Sequence, residues 1–183
     1  MVIFINGSFG IGKTVVSQLL VQQLRHSVLF DPEPIGVALL RLMRTWRRVD
    51  DFQDLNVWRE ISTHFIGFIC RFRRSVVVPM AFSNEAYLRQ FVTYVRERGN
   101  ETFHFCLTAP LAIVQERLRS REIGNGPTEW QLRRSAECCE AHQRPEFAEH
   151  IATEARSPQQ VVQEILGRLP AYARTQKSHL PAA

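Results

Sequence analysis

The sequence predicts an α/β fold in which a parallel sheet of five strands is flanked by helices. Two observations support this class. Short apolar runs rich in β-branched residues recur along the chain, which is the pattern of buried parallel strands. Between them lie longer stretches whose apolar residues recur every three or four positions, the spacing of helices that pack on one side. This alternation of strands and helices is typical of a parallel sheet.

The elements can be assigned in chain order. Strands are predicted at residues 2–5, 27–31, 75–80, 102–108 and 150–154. The first helix is expected to follow a glycine-rich loop and to run to about His26, and later helices to cover 84–98 and to start near Pro110 and Ser157. Two more helices are predicted between the second and third strands, and the second of them begins near Asp50 or Asp51.

The glycine-rich loop joins the first strand to the first helix. Residues 7–14 read Gly-Ser-Phe-Gly-Ile-Gly-Lys-Thr, the full pattern of glycine, four residues, glycine, lysine and threonine. Glycines bring backbone N–H groups close to a polyphosphate, and the following helix N-terminus favours an anion. We expect Lys13 to reach the β- and γ-phosphates and the Thr14 hydroxyl to ligate Mg²⁺. The predicted nucleotide-binding residues are Gly7, Ser8, Phe9, Gly10, Ile11, Gly12, Lys13 and Thr14.

Two carboxylates follow the second strand. Parallel strands joined by a right-handed crossover end at the same edge of the sheet, so Asp31 should lie on the side of the phosphate loop. Asp31 and Glu33 alternate with prolines that stiffen the segment. Either carboxylate could act as a base for a substrate hydroxyl or anchor Mg²⁺, or form a turn that caps a helix. Asp31 is the preferred catalytic and metal-binding candidate, because the third strand ends in Pro79 and Met80 without an aspartate.

Residues 35–74 are predicted to form a helical, substrate-binding insertion. Aromatic residues at helical spacing are more often core residues, but those that face a cleft could stack on a substrate. The predicted substrate contacts are Asp31, Glu33, Arg41, Trp46, Phe52, Gln53, Trp58 and Met80.

After the fourth strand, arginines lie on both sides of a glycine-containing segment that separates two predicted helices. Arg117 and Arg121 are four residues apart on a predicted helix, and Arg133 and Arg134 lie on the helix after the glycine-containing break. Like charges on one helix face destabilise it by about 0.2–0.5 kcal/mol unless an anion lies between them. Residues 117–134 are therefore predicted to form a lid in which Arg117 and Arg121 are catalytic. A solvated basic face is the alternative.

The composition limits which kinds of ligand and macromolecule the protein could bind, but it leaves several possibilities. A formal net charge of +5 and a pI of about 9.4 suit anionic ligands, and also nucleic acid or a membrane surface. No apolar run approaches the ~18 residues that cross a bilayer, and the four cysteines lack disulfide or zinc spacing. We expect a cytoplasmic protein with one domain at 1–170 and a mobile tail at 171–183. A peripheral membrane contact and the oligomeric state stay open, and no nucleic acid is expected.

Three segments resemble the tunicamycin resistance family, ATP-binding proteins of the small P-loop kinase type. They are residues 5–14, Phe30-Asp-Pro-Glu33 with Gly36, and Val78-Pro-Met80. The resemblance extends to about Leu169. It implies a P-loop NTPase of the nucleoside- and shikimate-kinase-like type, with sheet order 2-3-1-4-5, ATP and Mg²⁺ as cofactors, and tunicamycin or a related nucleoside or sugar compound as substrate.

The resemblance implies two functions of different kinds. In a kinase, Asp31 would orient or deprotonate an acceptor hydroxyl while Lys13, Mg²⁺ and Arg117 or Arg121 hold the developing charge. In a sequestering protein, ATP would support binding of the antibiotic without modifying it. A nucleic-acid-associated ATPase is a third hypothesis, motivated by the basic composition.

Overall fold

One parallel sheet forms the centre of the computed structural model, which describes residues 1–43, 50–120, 126–147 and 149–173. Within these residues the sheet has five strands: β1 (Val2–Gly7), β2 (Ser27–Leu29), β3 (Ser75–Met80), β4 (Thr102–Thr108) and β5 (His150–Ala152). Their order is β2-β3-β1-β4-β5, and all neighbours are parallel. The predicted fold class and sheet order are confirmed.

Helices connect the strands as predicted, but the second inserted helix begins at Asn56, after a 3-10 turn at Phe52–Asp54, and not near Asp50 or Asp51. They are α1 (Lys13–Gln23), α2 (Glu33–Met43), α3 (Asn56–Ile69), α4 (Glu85–Glu97), α5 (Leu111–Arg119), α6 (Glu129–Ala141) and α7 (Pro158–Arg168). The first helix ends before the predicted His26, because Leu24 is extended and His26 has a positive φ of 46° that turns the chain into β2. None of the helices in the described ranges is long and apolar enough to span a membrane.

The central strand β1 packs against helices on both faces. Ile3 and Ile5 lie in one apolar cluster with residues of α1, α5 and α7, whereas Val2 and Phe4 lie in a second cluster with residues of α3 and α4. Successive side chains of a strand point to opposite faces, so one strand serves both layers. This burial fixes the position of the loop that follows β1.

The carboxyl ends of β1 and β3 are joined by a buried polar side chain. Asn6 donates from Nδ2 to the Phe82 carbonyl at 3.2 Å, and its Oδ1 accepts from the Phe82 N–H at 2.9 Å. The ring Nε2 of His142 also lies 2.6 Å from that carbonyl. Ligands of open α/β sheets bind at this edge, which is therefore the place to look for a site.

Several predicted features lie partly outside the described residues. Trp46 and Arg121 are outside them, as are residues 174–183 of the predicted tail. The described parts of the predicted lid, 117–120 and 126–134, contribute to the end of α5 and the first half of α6. The domain, insertion, lid and tail boundaries stay predictions.

Candidate active site

The loop between β1 and α1 has the backbone conformation of a phosphate cradle. Gly10 and Gly12 have φ angles of 82° and 102°, a region that side chains with a Cβ rarely adopt. Helix α1 begins at Lys13 directly behind Gly12, which provides no side-chain cap. The first N–H groups of a helix and its dipole are suited to hold an anion. The loop therefore fits a polyphosphate.

Lys13 lies against its own loop. Its Nζ donates a 2.9 Å hydrogen bond to the Ser8 carbonyl and stands 5.4 Å from the centre of the Phe9 ring. The Phe9 ring in turn contacts Trp130 of α6 edge-on, with ring centres 5.5 Å apart. Ser8 Oγ donates to the Ser135 carbonyl of the same helix at 3.2 Å. Helix α6 thus packs against the loop through Trp130 and Ser135.

The loop also fits Mg²⁺ bound together with a nucleotide. The Thr14 side chain is exposed at the start of α1. In the described residues no group of three or more histidine, cysteine, aspartate or glutamate side chains could hold a metal ion. Mg²⁺ is usually held by one or two protein oxygens together with substrate phosphates and water, so it does not need such a cage.

The two predicted carboxylates occupy the start of α2. Asp31 is exposed, and its Oδ1 accepts a 2.9 Å hydrogen bond from the backbone N–H of Glu33. Asp31 therefore forms the capping turn that was the alternative interpretation for it. Glu33 is half-buried. Both side chains lie after an edge strand, on the loop's edge of the sheet.

Glu33 shares an electrostatic environment with Lys13. Burial raises the pKa of Glu33 above its usual value; the Lys13 ammonium acts in the opposite direction, and the Asp31 and Asp51 carboxylates raise it further. A carboxylate with a raised pKa accepts a proton more readily. Sequence reasoning preferred Asp31, but the more buried of the two carboxylates is that of Glu33.

Four of the predicted substrate contacts are buried beneath the cleft. Phe52, Gln53, Trp58 and Met80 are 8%, 5%, 0% and 2% exposed. The Trp58 Nε1–H donates to the Pro32 carbonyl at 2.9 Å, and the Gln53 Nε2 donates to the Ala81 carbonyl at 3.2 Å. The aromatic stripe thus packs in the core, as aromatic residues at helical spacing more often do. Phe52, Trp58 and Met80 belong to an apolar core cluster. Gln53 also lines a cavity with Asp51 and Arg134, and the predicted contact Arg41 is exposed on α2.

Arg117 lies on the other side of the loop. Its Nη1 donates to Thr153 Oγ1 and its Nη2 to the Thr153 carbonyl, both at 3.0 Å. It lines a cavity of about 220 Å³ together with Gly10, Gly12 and Arg156. Because β2 and β5 are the two edge strands and β1 lies between them, Arg117 and Glu33 flank the loop from opposite directions.

A second cavity lies beside the ion pair of Asp51 and Arg134. It has a volume of about 260 Å³ and is lined by Asp51, Ser83, Trp130 and Arg134, among others. Arg134 Nη2 lies 3.0 Å from Asp51 Oδ2, and the two side chains are only 12% and 14% exposed. Sequence reasoning placed Arg134 on the lid helix but missed this pair. The residues lie far apart in the sequence, and only their common edge of the sheet could have associated them.

Comparisons with known proteins agree with this geometry. The family model described as AAA domain matches residues 2–145. The structure of the Deinococcus radiodurans tunicamycin resistance protein is similar, with a TM-score of 0.73, 30% identity and coverage of 91% of this chain and 93% of that one. A comparison with curated proteins finds no match to the chain.

Two more distant structures share the fold. A gluconokinase from Sinorhizobium meliloti 1021 has a TM-score of 0.63 at 16% identity, covering 90% of this chain and 89% of that one. The shikimate kinase of Acinetobacter baumannii, solved with shikimate, has a TM-score of 0.57 at 13% identity and covers 90% of both chains. The chain therefore belongs to the AAA domain family of P-loop proteins and, among them, to the family of the tunicamycin resistance protein.

Proposed function

We propose that the protein is a kinase that transfers the γ-phosphoryl group of ATP to a hydroxyl group of tunicamycin or of a related nucleoside or sugar compound. The observation that carries this proposal is the position of Glu33, a half-buried carboxylate at the start of α2, on the same edge of the sheet as the phosphate loop. A protein that only sequesters a ligand needs no carboxylate beside the phosphates. A phosphoryl-transfer enzyme needs one to receive the acceptor's proton.

Each side chain of the site has its own role in the proposed phosphoryl transfer. The acceptor oxygen forms a bond to the γ-phosphorus, the bond between that phosphorus and the bridging oxygen breaks, and ADP leaves with the electron pair. Glu33 receives the hydroxyl proton, and Asp31 holds the first turn of α2 that carries Glu33. Lys13 and the loop N–H groups stabilise the charge on the phosphoryl oxygens. Mg²⁺, when bound beside Thr14 and Asp31, supplies further charge neutralisation.

The different residues on the two sides of the loop support one orientation of the bound nucleotide. The Arg117 cavity adjoins Gly10 and Gly12 on the β5 side, and the carboxylates lie on the β2 side. We place the nucleoside end of ATP toward Arg117 and the γ-phosphate toward Glu33. Arg117 then serves nucleotide binding, and the charge-stabilising part predicted for Arg121 stays a prediction.

The experiment is mass spectrometry of tunicamycin after incubation with the protein, Mg²⁺ and ATP. The expected result is a gain of one phosphate that turns over many times per protein molecule and is absent with the Lys13→Ala variant. An unmodified drug that co-purifies with the protein would instead support sequestration. An unmodified drug that does not bind would mean that the acceptor is another compound.

A further inference from the structure

The cavity beside Asp51 and Arg134 opens onto the same edge as the phosphate loop. Helix α2, which carries Glu33, packs through Gly36 against Phe52, the residue that follows Asp51, and the Asp51 carboxylate also raises the pKa of Glu33. Trp130 links the cavity to the phosphate loop, because it lines the cavity and packs edge-on against Phe9 of the loop. An acceptor seated in this cavity would therefore lie beside the proposed base.

Carboxylates outnumber guanidinium groups around this cavity. Its described charged residues are Asp50, Asp51, Asp54, Glu137, Arg133 and Arg134, so four carboxylates face two guanidinium groups. Within the described part of the chain the lining carries net negative charge. An acidic acceptor entering it would meet like charge, which lowers its affinity and so favours uncharged or cationic acceptors.

The largely buried Arg134 forms ion pairs with two carboxylates of the protein. Arg134 pairs with Asp51 at 3.0 Å and with Glu137 at 2.5 Å, and Nη1 also donates to Ser83 Oγ at 3.0 Å. Burial lowers the pKa of Arg134, but the hydrogen bond to Glu137 and the neighbouring negative charges outweigh it and hold the guanidinium firmly protonated. The Nε of Arg134 is buried and has no hydrogen-bond partner among the described residues. A ligand carboxylate could therefore pair with the terminal nitrogens Nη1 and Nη2 only by displacing a partner from a largely desolvated pair, which is unfavourable.

The polar groups and the size of the cavity indicate what fits. Asp54 accepts a 3.0 Å hydrogen bond from the Tyr87 hydroxyl, and both residues line the cavity with Asn84 and Ser83. These groups can bind hydroxyl or ammonium groups, and Trp130 offers a ring face for stacking. A volume of about 260 Å³ lies below the ~300–1,000 Å³ of sites for drug-sized ligands. It suits one ring of a larger compound.

We infer that the cavity beside Asp51 and Arg134 selects the acceptor by charge, admitting an uncharged or amino-substituted sugar-like ring and rejecting one that carries a carboxylate or phosphate. This inference rests on the proposed function, since it defines the acceptor class of the same reaction. Asp51 is the specificity-determining residue, because it neutralises Arg134 from the buried side.

The test compares three matched probes: N-acetylglucosamine, glucosamine and glucuronic acid. Binding is measured by NMR titration against protein saturated with a non-hydrolysable ATP analogue, and transfer is measured separately with ATP. The neutral or amino sugar should bind at least about a hundredfold more tightly than the acid. Equal or tighter binding of the acid would overturn the inference, and so would the failure of all three probes to bind.

The two proposals fail in different ways. If the neutral and amino sugars bind preferentially but no probe and no tunicamycin gains a phosphate, charge selection stands and the proposed kinase function fails. If transfer occurs but favours the acid, the kinase function stands and charge selection fails.

Two substitutions test the assignment to Asp51. Asp51→Asn keeps the oxygen that accepts from the Gln53 N–H at 2.9 Å but leaves Arg134 with less negative charge, so affinity for glucuronic acid should rise about tenfold. Asp54→Asn removes an equal charge from the same cavity without touching the pair, and should change acid affinity less. If Asp51→Asn does not fold, Glu137→Gln weakens the pair from its exposed side and should give the same direction. An unchanged acid affinity in both pair variants contradicts the assignment.

Discussion

The ammonium of Lys13 donates a 2.9 Å hydrogen bond to the backbone carbonyl of Ser8, five positions earlier in the same loop. The side chain is 9% exposed, so the loop holds this charge in a largely desolvated place. A bound polyphosphate would offer the ammonium charged oxygens in place of the neutral carbonyl, and hydrogen bonds between charged groups are stronger. The position of Lys13 is thus prepared for an anion.

Replacing Lys13 by alanine should abolish phosphoryl transfer and weaken ATP binding about 10- to 100-fold, since hydrogen bonds to charged groups contribute about 1.5–3 kcal/mol. Isothermal titration calorimetry with ATP and Mg²⁺ measures this effect. The control is Lys177→Ala, which alters the other lysine of the sequence and removes the same charge. Equal ATP affinity in wild type and Lys13→Ala would contradict the assignment of the loop.

The base can be identified by comparing Glu33→Gln with Asp31→Asn. Glu33→Gln should lower the transfer rate by at least about a hundredfold, the usual contribution of a general base, while ATP still binds. Asp31→Asn keeps an oxygen that can accept from the Glu33 N–H, and should also leave ATP binding largely intact. If Asp31→Asn stops transfer and Glu33→Gln does not, Asp31 is the base. Equal loss of ATP binding in both would indicate a metal-binding or structural part instead.

The raised pKa of Glu33 also predicts a pH-dependent stability difference. The native protein holds the Glu33 proton more firmly than the unfolded chain does. The free energy of unfolding therefore falls as pH rises through the interval between the unfolded and native pKa values of this group. Glu33→Gln lacks this loss, so its melting temperature should exceed that of wild type at pH 8 by more than it does at pH 4. A difference that is independent of pH would contradict the burial of an ionised Glu33.

Arg117 and Arg119 form a matched pair for testing the nucleotide end of the site. Arg117 is half-buried and bound to Thr153 beside the loop, whereas Arg119 is exposed on the same helix. Arg117→Ala should raise the KM for ATP about tenfold or more, with a smaller change in kcat, because the proposed contact is made equally in the ground and transition states. Arg119→Ala should change neither. A selective loss of kcat in Arg117→Ala would favour the charge-stabilising function predicted from the sequence.

Much of the fold could be predicted because its determinants are local. The glycines, Lys13 and Thr14 form a contiguous pattern, and the buried strands are continuous apolar runs. The topology rule for parallel strands places Asp31 at the loop's edge of the sheet from the order of the elements alone. The capping box of Ser157 and Gln160 likewise begins α7 as its residue types predict.

The parts that could not be predicted depend on tertiary packing. Whether Trp58 stacks on a substrate or fills the core is decided by the position of Phe82 and Phe91, whose rings lie 6.2 and 5.6 Å from it. The pair of Asp51 and Arg134 joins the segment before α3 to helix α6 and leaves no local signal. The pKa of Glu33 is raised by burial and by the Asp31 and Asp51 carboxylates; sequence spacing reveals the nearness of Asp31 but neither the burial nor the nearness of Asp51.

The contact between Gly36 and Phe52 offers a test of how the buried layer positions the carboxylates. A Cβ on Gly36 would lie 2.3 Å from Cγ of the Phe52 ring, so Gly36→Ala must displace α2, which begins at Glu33, or the ring. Overpacking of this kind costs about 1–3 kcal/mol, or roughly 2–12 °C in melting temperature for a protein of this size. The shift of α2 should also lower the transfer rate more than it lowers ATP affinity.

The double variant isolates the cause. Phe52→Ala removes Cγ and Cδ2, the two atoms nearest to the new methyl group, so Gly36→Ala should destabilise the Phe52→Ala protein much less than it destabilises wild type. Thermal denaturation of the four proteins in this cycle measures the coupling between the two positions. If the two effects simply add, the contact with Phe52 does not limit position 36, and helix α2 is held in place by other residues.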